Sequence, residues 1–279
     1  MSAPITTHVA EIPELELRLL LEAIYAKYHY DFREYAMNSI RRRLAQAQFR
    51  LGCNGFAQLH DLVLARPSAF AVLLQYLTVQ VSDMFRDPGY FRALREQVVP
   101  VLQTYPSLRV WVAGCSTGEE AYSLAILFEE HGLLDRTLIY ATDINAESLR
   151  IAQNGVYALD RIANWSRNHR DSGAAVALSE YYTAGYGAAS FDRRLREHIV
   201  FSDHSLATDS VFAEVQLVSC RNVLIYFNRD LQARACRLFC KALCRKGFLG
   251  LGAKETAKCS GPCPDFAEFM YEQRIYRRS

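Results

Sequence analysis

The first 77 residues carry apolar positions only at helical spacing. Leu15, Leu19, Leu20 and Ile24 predict an amphipathic helix from Glu14 to about Tyr28. Ala36, Ile40, Leu44 and Ala47 predict a second from Phe32 to Arg50. Two shorter helices follow, over Phe56 to Leu64 and Ser68 to Leu77, and nothing here alternates as a strand would. Residues 78–88, TVQVSDMFRDP, join this all-helical N-terminal domain (1–77) to the rest and are apolar enough to pack rather than hang as a tether. Asp87 and Pro88 suit the cap and first position of a helix reaching about Tyr105, with Phe91, Leu94, Val98, Val101 and Leu102 as its buried stripe.

From residue 108 the pattern changes, and short apolar runs alternate with helical periods. Leu108 to Ala113, Thr137 to Thr142, His198 to Phe201, Val215 to Cys220 and Gly247 to Leu251 read as strands. Helices are predicted from the Glu119 region to His131-Gly132, from an Asn145 cap to Gly155, and from Asn228 to about Cys244. Such alternation defines an α/β fold with a doubly wound sheet. Residues 156–197 fit neither period; their aromatics (Tyr157, Trp165, Tyr181, Tyr182, Tyr186, Phe191) and scattered glycines suggest an insertion or a cap over a site.

Candidate chemistry concentrates at residues 111–123, WVAGCSTGEEAYS, where a strand feeds a helix through Gly114 and Gly118. Open α/β sheets hold nucleotides at this carboxyl edge. A phosphate-binding loop would leave the helix start uncharged. Here Glu119 and Glu120 stand there, which would repel a pyrophosphate and accept a cation. The expected ligand is therefore a nucleoside without phosphates and with positive charge, for which S-adenosylmethionine is the evident candidate. Either glutamate could instead simply stabilise the helix N-terminus through its dipole. Asp143, at the tip of the next strand, suits ribose hydroxyls. Asn222 and Tyr226 lie just past a third strand, so polar groups from separate strand ends converge. No serine or cysteine triad signature appears, which leaves hydrolysis unsupported.

Composition narrows this little. A net charge of +2 selects no partner, and no apolar run or leader suggests a membrane span or secretion, so a cytoplasmic protein is expected. Of the eight cysteines, Cys236, Cys240 and Cys244 predict a core-facing helix stripe. Cys259 and Cys263 add no His or Cys-x-x-Cys pair that would make a metal site. Arg41, Arg42 and Arg43 are either a solvated face or a docking surface for an acidic partner.

These residues resemble the CheR-type chemotaxis receptor methyltransferases over nearly the whole chain. The resemblance rests on four segments in order: SDMFRDP (82–88), AGCSTGEEAYS (113–123), ATDIN (141–145) and CRNVLIYF (220–227). It implies an all-helical N-terminal domain, residues 78–90 as a linker contributing to the active site, and a class I, Rossmann-like S-adenosylmethionine-dependent methyltransferase domain over 91–279. A small subdomain is inserted at about 157–197. It further implies that Gln80, Ser82, Arg86, Glu120, Asp143, Ser205, Leu206, Cys220 and Arg221 lie around the cofactor, beside Gly114 and Asn222, and that Arg86 and Tyr226 serve methyl transfer. Gln80 and Ser205 stand where Asn is usual in the family, and Ser82 where Thr is. The implied reaction esterifies glutamates in the acidic methylation region of chemoreceptor cytoplasmic domains. Arg41 to Arg43 are similar to the docking surface. The sparse AGYGAAS (184–190) points to a mode independent of the receptor tail. The protein is expected to act as a monomer, without nucleic acid or membrane insertion. A non-catalytic signalling adaptor and a nucleic-acid methyltransferase are the rivals; the latter would carry Pro-Pro-Tyr where Val223-Leu224-Ile225-Tyr226 stands.

Overall fold

A computed structural model describes residues 12–78, 82–257 and 266–279, so Gln80, Cys259 and Cys263 fall outside the described residues. The chain divides into two compact units, 1–79 and 80–279.

The first unit contains α1 (Glu14–Tyr28), α2 (Met37–Arg50), α3 (Phe56–Ala65) and α4 (Pro67–Leu77). In α1 the buried stripe is Leu17, Leu20, Leu21 and Ile24, while Leu15 and Leu19 face solvent at 68% and 57% exposure. The expected stripe is thus turned by part of a helical step. The second helix starts at Met37 rather than Phe32, because Phe32 and Tyr35 leave the helical path to pack edge to face in the core, 5.0 Å apart. Arg43 is buried, and its Nη1 donates to the Leu77 carbonyl at the end of α4 (2.6 Å). The carbonyls ending a helix have no partner within it, so this guanidinium closes α4. Arg43 is therefore not part of a docking surface. Arg42 is exposed and Arg41 half-buried.

The second unit opens with α5 (Pro88–Ala93), a π-turn at Leu94–Val98 and α6 (Val99–Leu102) in one continuous run. Pro100 explains the wide turn: it has no N–H to donate, and its ring would crowd the Glu96 carbonyl in a regular α-helix. Next come β1 (Leu108–Ala113), α7 (Glu119–Glu130), β2 (Thr137–Asp143) and α8 (Ala146–Asn154). Asn145 caps α8, accepting from the Glu147 and Ser148 amides. The inserted part holds β3 (Val156–Ala158), α9 (Ile162–Asp171), β4 (Tyr182–Gly185) and β5 (Ala188–Phe191), whose strands form a separate antiparallel sheet in the order β3-β5-β4. After α10 (Arg193–Arg196) follow β6 (Ile199–Asp203), β7 (Val215–Cys220), α11 (Arg229–Ala242), β8 (Leu243–Leu251), β9 (Phe266–Met270) and β10 (Ile275–Arg278).

The main sheet runs β6-β2-β1-β7-β8-β10-β9, parallel from β6 through β8 and antiparallel for the last two strands. From β1 the chain winds outward through β2 to β6 and then returns to β7 on the other side. The strand order therefore reverses between β1 and β7, where α/β sheets bind ligands. β8 starts at Leu243, four residues before the expected Gly247, so Cys244 lies on a strand while Cys236 and Cys240 are buried on α11. Among the described residues no helix is long and apolar enough to cross a membrane.

Candidate active site

The glycine turn after β1 is tied to the neighbouring strand end. Gly114 and Cys115 donate their amides to the Thr142 carbonyl (2.8 and 2.9 Å), and Ser116 donates to Asp143 Oδ2 (2.8 Å). Gly114 has φ +74°, and a Cβ there would lie 2.5 Å from Val223 Cγ2. Gly114 is thus required by the close approach of the turn after β7, as well as by the open backbone the sequence suggested.

Asp143 Oδ1 accepts from the Asn145 amide (2.9 Å). Burial pushes its carboxyl above the usual range, and the Asn145, Ser116 and Ile144 amides oppose that. The amides fix its orientation and leave lone pairs for further donors. On the same edge, the Ser205 amide donates to Asp209 Oδ2 (2.9 Å) and its hydroxyl accepts from Ala207 (3.3 Å), while Leu206 is buried beside it.

The two glutamates of the turn diverge. Glu119 is fully buried, accepts from the Thr117 hydroxyl (2.7 and 2.8 Å) and pairs with Arg161 Nη1 of the inserted part (2.8 Å). It faces no ligand. Glu120 keeps 13% of its side chain exposed and ends a chain of donors. Tyr90 hydroxyl meets Ser219 Oγ at 2.9 Å, Ser219 donates to Glu120 Oε1 (2.6 Å), and Arg221 Nη1 donates to Oε2 (3.1 Å). Arg221 also holds Asp87 Oδ2 (2.6 Å) and the Arg86 carbonyl (2.9 Å), with its guanidinium 4.1 Å from the Tyr90 ring centroid. Arg221 therefore braces the walls of the site, joining β7 to the segment that carries Arg86, and its side chain is only 1% exposed. Cys220 is likewise buried, and burial raises its thiol far above the ordinary range.

Arg86 sits between two residues in the left-handed region, Phe85 (φ +50°) and Asp87 (φ +58°). Phe85 is anchored by its amide to Ser123 Oγ (2.9 Å) and by its ring against Phe91. Ser116 (φ +51°) and Asn222 (φ +62°) share this conformation. Non-glycine residues held there cost free energy and cluster at functional sites. Four of the eight non-glycine residues with this conformation among the described residues gather here. Tyr226 ends a short 3-10 turn, Leu224–Tyr226, after Asn222.

The inserted part grips the same segments. Arg161 Nη2 donates to the Ser82 carbonyl and lies 3.3 Å from Asp83 Oδ1, Trp165 Nε1 donates to Asp83 (2.8 Å), and Asn168 donates to the Met84 carbonyl (3.1 Å). Tyr157 hydroxyl reaches the Thr117 carbonyl (2.7 Å). Sequence reasoning missed Arg161 and a further residue, Glu255, whose buried carboxylate accepts from amides of the Asn222–Tyr226 turn.

The set of acceptors fits a cationic nucleoside. Asp143, Glu120 and Asn222 Oδ1, which is buried without a partner, are acceptors, matching ribose hydroxyls and an ammonium group and disfavouring phosphates. A reversed strand order with an acidic residue at the tip of β2 and a carboxylate in the first turn of α7 defines a class I S-adenosylmethionine-dependent methyltransferase.

Comparison with known proteins makes this specific: the chain belongs to the CheR methyltransferase family. The family's SAM-binding domain matches residues 80–263, and its all-alpha domain residues 15–78. The chain is 54% identical to the Cher3 protein of Pseudomonas putida, over 95% of this chain and 97% of that one. It is 28% identical to chemotaxis protein methyltransferase 2 of Pseudomonas aeruginosa, covering 84% of each. It is also 32% identical over 88% of its length to a 104.1 kDa protein of Rhodobacter capsulatus, of which it spans 26%. The protein is an enzyme, and its cofactor is S-adenosylmethionine.

Proposed function

We propose that this methyltransferase esterifies glutamate side chains in the acidic methylation region of chemoreceptor cytoplasmic domains, with Arg86 and Tyr226 at the reacting groups. The observation that carries the catalytic assignment is the strained backbone presenting both residues: Phe85 and Asp87 around Arg86, and Asn222 before Tyr226.

When bound, S-adenosylmethionine supplies a methyl group on a cationic sulfur. Asp143 and Glu120 would hold it as acceptors of hydroxyl and ammonium protons; Ser82, Ser205, Leu206, Asn222, Cys220 and Arg221 would border it. An acceptor glutamate has an ordinary pKa of about 4.3, so at neutral pH it is already the nucleophile and no general base is needed. Charge fades as an anion and a cation combine, so alignment contributes more than added charge stabilisation. Arg86 orients a carboxylate, and the Tyr226 hydroxyl donates a hydrogen bond at the reacting centre. Arg41 and Arg42 offer the basic face that meets the acidic receptor helices. The enzyme works as a cytoplasmic monomer, and 78–90 serves as the linker between its domains, 1–77 and 91–279.

The test is incubation of the full chain with methyl-labelled S-adenosylmethionine and chemoreceptor cytoplasmic fragments. Base-labile label on the fragment is expected. Label only on nucleic acid, or none while the cofactor still binds, overturns the reading.

A further inference from the structure

Glu255 lies outside the residues the reaction uses, yet its carboxylate is 4% exposed and saturated with backbone donors. Gly252 and Asn222 donate their amides to Oε2 (2.6 and 2.9 Å), Ile225 donates to Oε1 (3.2 Å), and the Leu224 amide adds a further bond. Three of these four donors belong to the turn that presents Tyr226. The fourth is the first residue after β8, the strand next to β7, so one side chain joins the turn to the adjacent strand end.

A buried carboxylate is costly unless its lone pairs are filled, and among the described residues the turn and the strand end fill them. The same amides need an acceptor, and Asn222, at φ +62°, is a residue type that tolerates the left-handed conformation in which its amide reaches the carboxylate. Packing leaves the arrangement no slack: a Cβ on Gly252 would lie 2.8 Å from Asn222 N and equally close to Glu255 Oε2. The Glu255 carboxylate is spent on backbone amides, so its consequence is positional: it sets the turn that carries Asn222 and Tyr226.

We infer that Glu255 is the positioning residue of the catalytic turn, fixing the left-handed Asn222 and through it the placement of the Tyr226 hydroxyl. The inference rests on Tyr226 acting at the reacting centre, as proposed above. Glu255→Gln keeps the shape and one acceptor oxygen but turns an amide NH2 toward backbone N–H groups that it cannot accept from.

The experiment measures kcat, KM and product affinity for wild type, Glu255→Gln, Tyr226→Phe and the double variant, with a chemoreceptor cytoplasmic fragment that the wild type methylates as acceptor. Glu255→Gln is expected to lower kcat about 10- to 100-fold, the usual consequence of a small misplacement of a reacting group. S-adenosylhomocysteine affinity, read by calorimetry, falls by a smaller factor than kcat, because Asn222 is only one of several cofactor contacts on the same edge. In the Tyr226→Phe background the same change costs less than about threefold, because residues acting as a unit are not additive. A merely structural role would give equal losses in both backgrounds. Should Glu255→Gln fail to fold by circular dichroism, Glu255→Asp, which keeps the charge but withdraws it by one methylene, takes its place. Additive losses, or a loss confined to cofactor affinity, overturn the inference. A Tyr226→Phe enzyme as fast as wild type, or a wild type without transfer, overturns the functional reading and the inference with it.

Discussion

Arg161 joins the inserted part to the start of α7, and removing its charge should expose how much of the second unit depends on that link. Glu119, its partner, is fully buried, whereas Arg161 is 34% exposed. Breaking a buried pair on one side costs about 3–5 kcal/mol because the remaining charge loses its compensation. The partial exposure of Arg161, which lets water screen the pair, and the Thr117 hydroxyl that stays on Glu119 bring the expectation for Arg161→Met to about 2–3 kcal/mol. For a unit of this size that is a drop in Tm of about 4–12 °C. Denaturation followed by tryptophan fluorescence is the suitable assay, because both tryptophans of the chain, Trp111 and Trp165, belong to this unit and Trp165 lies beside Arg161 (4.4 Å). The pH dependence has a definite sign. Burial already holds the Glu119 carboxyl above its ordinary range, with Arg161 among the groups opposing the shift. A folded state with a raised pKa binds more protons than the unfolded chain, so this group's contribution is most favourable in acid and is lost as pH rises through the folded pKa. Without Arg161 that pKa rises further. The variant's deficit is therefore largest at neutral pH and above and shrinks toward acid. Adding Glu119→Gln should return most of the loss. A deficit under about 0.5 kcal/mol, one independent of pH, or a double variant worse than the single would refute the reasoning.

Three other substitutions separate roles the sequence left joined. Gly114→Ala forces a Cβ to within 2.5 Å of Val223 at φ +74°; it should abolish detectable S-adenosylhomocysteine binding by calorimetry while circular dichroism stays near native, and unchanged affinity would contradict the packing described. Arg43→Ala should lower the stability of the helical unit by about 1–3 kcal/mol by leaving the Leu77 carbonyl unsatisfied, whereas Arg42→Ala should leave stability within about 0.5 kcal/mol and weaken acceptor KM; the reverse pattern in denaturation and kinetics would contradict it.

Much of the site was legible because its parts are local. Gly114, Asp143 and Asn222 each lie within two residues of the end of a short apolar run, and Glu120 opens the helix after the first of these, so period-two and helical patterns place them at strand ends and a helix start. The Arg41–Arg43 run misled only where periodicity was left unused: at 100° per residue three consecutive side chains fan across the helix, and Arg43 falls three residues after Ile40 and four before Ala47, on the buried stripe. What stayed hidden lies in long-range pairing. Arg161 is 42 residues from Glu119 and Glu255 is 33 from Asn222, and no spacing announces either. The pair β9 and β10 was missed for a different reason, since strands of five and four residues, the first at the sheet edge with exposed positions such as Glu268, carry little alternation.

The inserted part leaves and rejoins the main fold at one place: Val156 pairs with Ser190, and the Phe191 amide returns to the Gly155 carbonyl (2.9 Å). Its two ends being stitched together, the segment is a cassette whose exposed hairpin tip, Thr183 to Gly187, can change length or sequence without altering the spacing between α8 and β6, while Ala189 and Phe191 stay in the core. Its inner face has no such freedom, because Tyr157, Arg161, Trp165 and Asn168 are bonded to the cofactor loop and to the segment carrying Arg86. Swapping hairpins between relatives should therefore exchange whatever the outer strands recognise, provided those four side chains travel with the recipient and not the donor.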